Sequence, residues 1–155
     1  MKNIAWLALI PQFCIFLLLA FAFNLAGVND PGIYAFFTFL ALSILLRLIP
    51  GEHRKAVSAY HKGAYREAIA HFEKSYAFFS RHAWLDRTRY ISLLSASKMA
   101  YREMALLNIA YSHGQLGNLS EMRKYVERTV KEFPKSKPAR GALALMDEHE
   151  NEEGY

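Results

Sequence analysis

From Ile4 to Leu25 the chain reads IAWLALIPQFCIFLLLAFAFNL, a run without a single charged residue. As a helix rising about 1.5 Å per residue it would reach roughly 33 Å, enough to cross the hydrocarbon core of a bilayer. The apolar run IYAFFTFLALSILLRLI, Ile33 to Ile49, would reach roughly 25 Å. Arg47 near its end can extend its head group to the interface. Between the runs lies AGVNDPG, whose Asn, Asp, Pro and Gly suit a tight turn. The charge-rich remainder of a 155-residue chain is too small to cover two such helices on every side. The expectation for residues 1–50 is therefore a hairpin of two N-terminal transmembrane helices, with spans of about 4–25 and 33–49. Ala20-Phe21-Ala22 resembles a signal cleavage site, but the apolar run is too long for a typical signal, and an anchor is the better reading. Cys14 is the only cysteine, preceded by Gln12 and Phe13 where a bacterial lipoprotein signal needs small residues. It can form neither an internal disulfide nor a thiolate zinc site.

Charge predicts the orientation. Lys2 precedes the first run and Asp30 is the only charge in the turn, while Arg47, Arg54, Lys55, Lys62 and Arg66 follow the second. By the positive-inside rule both termini are expected in the cytoplasm, at a membrane of the bacterial inner-membrane type crossed twice. From Gly51 to Met146 seventeen Lys and Arg stand against eight Asp and Glu; residues after Met146 hold five acids and no Lys or Arg. Such a body suits a lipid bilayer with anionic head groups. Its bases are dispersed, many at helix spacing from an acid, which gives a solvated helix face; no nucleic-acid partner is expected.

The stretch YHKGAYREAIAHFEKS, Tyr60 to Ser75, gathers histidines, glutamates and a tyrosine as a catalytic site does, yet also carries the spacing of a packed helix pair. Its Gly63-Ala64-Tyr65-x-x-Ala68-Ile69-x-x-Phe72-x-x-Ser75 returns as Gly117-Asn118-Leu119-x-x-Met122-Arg123-x-x-Val126-x-x-Thr129. Leu106, Ile109 and Ala110 precede the second copy and Pro134 follows it. This pattern resembles the tetratricopeptide repeat, a 34-residue pair of antiparallel helices. His113 and Met122 depart from its usual aromatic and alanine, and the first copy lacks a closing proline. The glycines are 54 residues apart, one period plus 20, which implies an insertion at 83–102. The resemblance implies an all-α fold, with a tetratricopeptide-like domain over 51–150 and an acidic tail at 151–155.

The residue pattern supports the same segmentation. Ala68, Ile69, Phe72, Tyr76 and Phe79 follow the three-and-four spacing of a buried stripe. Leu106, Ile109, Ala110 and His113 are expected to pack against Leu119, Met122 and Val126, and Asn118 to cap the helix that follows Gly117. Ser136 and Pro138 open a last helix, Ala139 to His149, whose Leu143 and Met146 close the array.

No catalytic constellation accompanies this pattern. Glu67 and His71 lie four apart on one helix but make no first coordination shell, no HExxH is present, and His53, His61, His82, His113 and His149 share no gathering spacing. GxSxG, phosphate-binding and dinucleotide glycine motifs are absent from the sequence. Asn118-x-Ser120 matches a glycosylation acceptor, which a cytoplasmic domain would not use. The chain is expected to be no enzyme, to need no cofactor or metal and to take no small-molecule substrate. What the resemblance implies instead is a groove lined by the first helix of each pair, where an asparagine with basic neighbours can hold a partner's terminal carboxylate. Asn108 matches that asparagine, with Met104, Leu107 and Tyr111 near it; Arg54, Val57 and Tyr60 are the candidates in the first copy. The expected role is a membrane-anchored protein-interaction module, recruiting a protein partner or serving as accessory subunit of a membrane complex. The alternative is a structural subunit whose transmembrane hairpin makes the main contacts.

Overall fold

The computed structural model describes residues 9–95 and 97–153. Among them the chain is all-α, with nine helices and no strand. They run α1 Leu9–Leu25, α2 Pro31–Leu48, α3 Gly51–His61, α4 Tyr65–Arg81, α5 Ala83–Arg87, α6 Arg89–Ser92, α7 Tyr101–Gln115, α8 Leu119–Glu132 and α9 Lys137–Glu153. They sort into two compact units, one holding residues up to 51 together with 83–100, the other 52–82 together with 101 onward.

In the first unit α1 and α2 form an antiparallel pair. Gly27, at φ 71°, ends α1 with a Schellman turn in which Val28 N–H donates to the Phe23 carbonyl at 3.1 Å; Asp30 then precedes Pro31 at the start of α2. Phe16 meets Phe39 edge-on at 6.3 Å and Phe23 lies 5.9 Å from Tyr34, so the pair is zipped by rings while Ala35 is wholly buried. The outer faces stay apolar, with Phe13, Leu18, Phe21, Phe37 and Leu45 all exposed. Residues 83–100 join this unit. Gln12 Nε2, on the otherwise apolar α1, donates to the Leu94 carbonyl at 2.9 Å, and Arg89 binds the Asp86, Ser97 and Lys98 carbonyls. No single helix among the described residues is long and apolar enough to cross a membrane. Pro31–Leu46 and Gly51–His61 pass only as a broken pair, and Ile10–Leu25 is a shorter apolar helix. The beginning of the expected first span, residues 4–8, and Lys2 lie outside the described residues.

The second unit stacks two helical hairpins, α3–α4 and α7–α8, followed by α9. Ala56 and Ala59 of α3, Ala68 and Phe72 of α4, and Ala105 and Ile109 of α7 form one buried cluster. Small residues let the backbones approach while Phe72 and Ile109 fill the space between them. His53 Nδ1 lies 3.2 Å from Ser75 Oγ, and the His53 ring meets Phe72 and Tyr101 edge-on. Across α4 and α8, the Tyr76 hydroxyl donates to Glu132 and that of Tyr125 to Glu73. Both hairpins turn in one way. Gly63 and Gly117 share φ 75°; Ala64 N–H donates to the Ala59 carbonyl as Asn118 N–H does to that of His113. The Asn118 side chain makes no cap bond on α8; the Schellman turn satisfies the carbonyls at the end of α7. Ser136 does cap α9, its Oγ accepting from Ala139 N–H at 3.3 Å.

Candidate interaction groove

An open groove of about 660 Å³ runs between α7, α8 and α9. Tyr111, Leu119 and Met122 form one wall; Pro138, Gly141, Ala142, Leu145 and Met146 form the other. Arg123 closes one end, holding Asp147 at 2.7 Å and Glu150 at 3.0 Å, and so ties α9 to α8. Burial and the neighbouring Tyr60 push the Tyr111 phenol above its ordinary range, as expected for a hydroxyl at the edge of an apolar cleft. Leu119 (67% exposed) and Leu145 (60%) are the exposed large hydrophobics of the second unit among its described residues, and both stand on this groove. The two largest uncovered apolar side chains of this unit thus stand at one place.

Of the residues marked out in the sequence, only Tyr111 lines this groove. Leu107 is 3% exposed and serves the interior. Val57 and Tyr60 are half-buried against the α3–α4–α7 core, and Tyr60 stacks edge-on with Tyr65 at 5.4 Å. Asn108 is half-buried and spends its amide on its own helix, Nδ2 donating to the Met104 carbonyl at 2.8 Å, while Met104 is half-buried and Arg54 exposed. The groove residues that sequence reasoning missed are chiefly on α9. Leu119 was expected inside the α7–α8 interface; as the first residue of α8 it turns outward instead. The spacing of Pro138, Gly141 and Leu145 on one side of α9 is the signal that could have found them.

Within Tyr60–Ser75, His71 has a structural role, while His61, Glu67 and Glu73 are exposed. His71 Nδ1 binds Glu52 Oε2 at 2.7 Å, fastening α4 to α3, while its Nε2 lies 3.7 Å from Glu67. His113 stacks on Tyr125 at 5.6 Å, with its buried Nδ1 unpaired. Among the described residues no three His, Cys, Asp or Glu are placed to hold a metal ion. Comparison with protein-family profiles, curated proteins and solved structures finds no match to this chain.

Proposed function

We propose that this chain is a membrane-anchored protein-interaction module of the tetratricopeptide type. The apolar α1–α2 pair inserts in the bilayer, and the stacked hairpins hold a docking groove for a protein partner. Its work is binding, without cofactor or small-molecule chemistry, in the manner of a recruiting module or accessory subunit. The observation that carries the reading is the groove between α7, α8 and α9 with Leu119 and Leu145 uncovered. The like turns at Gly63 and Gly117, and the packing of α4 on α7, support the repeat reading. The exposed apolar faces of α1 and α2 support membrane insertion.

A second reading has its own observation. Rings crowd the outer faces of α1 and α2, Phe13, Phe21, Tyr34, Phe36 and Phe37 among them, and suit contact with other membrane helices. On that reading the chain is a structural subunit. Photo-crosslinking of the full-length chain in its native membrane separates the two. With the photoreactive residue at Leu119 or Leu145 a protein adduct is expected, and with it at Lys74, exposed on α4, none. Adducts confined to α1 and α2 overturn the groove and favour the structural subunit.

A further inference from the structure

Three features of α9 go beyond its tie to Arg123 through Asp147 and Glu150. Gly141 is the fifth residue of the 17-residue α9, inside the helix, where glycine is less favourable than alanine. A Cβ built on it would meet nothing within 4 Å, so no neighbour in the chain requires its smallness. The charges also run against the helix dipole: Lys137 and Arg140 stand at the N-terminal end, and Glu148 toward the C-terminal end beside Asp147 and Glu150, which Arg123 pairs. Neither Lys137 nor Glu148 has an ion-pair partner among the described residues, and both are exposed. Finally, Leu145 projects four residues beyond Gly141 on the same side of the helix.

One occupant makes use of all three. We infer that the groove takes α9 of a second copy, running antiparallel, in a two-fold symmetric pair; the inference rests on the groove being a docking surface. Such a pair is self-complementary by construction. Laid antiparallel about Leu143, Leu145 of each copy seats over Gly141 of the other, a knob over a backbone with no side chain. Lys137, opposite residue 149 in this register, then has Glu148 of the other copy one position away, within reach of its long side chain, at both ends. Charges opposed to the dipole within one helix become paired between two. The incoming helix also covers Leu119 and closes the groove beside Tyr111.

The test is a charge exchange in the full-length chain, reconstituted in nanodiscs or detergent, with self-association read by sedimentation equilibrium. Lys137→Glu or Glu148→Lys each sets like charges together at both symmetric ends and should weaken association about fivefold or more. The double exchange should restore it to near the unaltered value. Leu145→Glu should abolish it without unfolding the domain, because the side chain is exposed. Weakening that the double exchange fails to restore overturns the pairing. Photo-crosslinking from Leu145 distinguishes the failures: an adduct of twice the chain mass supports the inference, an adduct with a different protein overturns it while leaving the docking groove standing, and no adduct removes the groove as well.

Discussion

A Cβ on Gly114 would lie 2.7 Å from the Met122 Sδ, so a side chain there requires the thioether to move. Met122 on α8 faces Gly114 on α7, a large side chain against none across the helix pair. The two should therefore be coupled. On the native background the helix-forming gain of Gly114→Ala, about 0.5–1 kcal/mol, should be cancelled by overlap with the thioether. On a Met122→Ala background it should appear in full, giving a coupling of at least about 0.5 kcal/mol in a double-mutant cycle of urea unfolding. Additivity would show that the two side chains do not compete. Glu52 supplies a second residue-scale test. Hydrogen bonds from Lys55 and His71 hold its carboxyl at about 2, against an ordinary 4.5. Because the folded form resists protonation, the contribution is complete above pH 4.5, declines as the unfolded chain alone takes up the proton, and is gone below about pH 2. Glu52→Gln should flatten the stability profile of the second unit across that window. An unchanged acid slope would mean that the tie between α3 and α4 contributes nothing.

At the scale of the helices, the turns were legible in the sequence and the faces only in part. Gly63 and Gly117 could be read because a backbone at φ 75° excludes side chains at a cost of about 1 kcal/mol, so the demand shows as glycine. Alanine at either position should destabilise by about that amount, and at both by the sum, since the turns are separate. Calorimetric melting would show it, and a Gly63→Ala or Gly117→Ala chain melting like the native one would refute the shared turn. The α4 stripe was equally plain: Ala68, Phe72, Ser75 and Phe79 are all buried. Leu119 was misplaced because periodicity gives a residue's angle around a helix and says nothing of where the helix begins; at the first position of α8 the same angle faces outward. Leu107 and Asn108 are groove candidates by resemblance; Leu107 is buried, and the half-buried Asn108 donates its amide to the Met104 carbonyl. The groove itself depends on the approach of α9, held by Arg123 to Asp147 and Glu150 at 24 and 27 positions' remove, pairings that no local spacing announces.

For the whole molecule the sequence revealed an apolar N-terminal part and a charged helical part, since composition changes sharply at Pro50. The assignment of residues 83–100 to the apolar unit was not legible, because Gln12 and Leu94 are 82 positions apart and the bond uses a backbone carbonyl, which every residue has. Membrane topology is testable at this scale. In a Cys14→Ser chain, an impermeant maleimide applied from outside should label Asn29→Cys in the turn between α1 and α2 and miss Ser58→Cys on α3. Equal protection of both would mean that the pair enters the bilayer without crossing it, and labelling of Ser58→Cys alone would invert the orientation. The second unit is interrupted in the chain, its first part ending at 82 and its remainder starting at 101. During synthesis α3 and α4 therefore emerge well before Ala105 and Ile109, which complete the cover of Phe72. At about 5–20 residues per second, the 37 residues from Phe72 to Ile109 take roughly 2–7 s. For that interval each nascent chain presents an unfinished hydrophobic surface beside the ribosome, long enough for a chaperone to engage it before the second hairpin arrives.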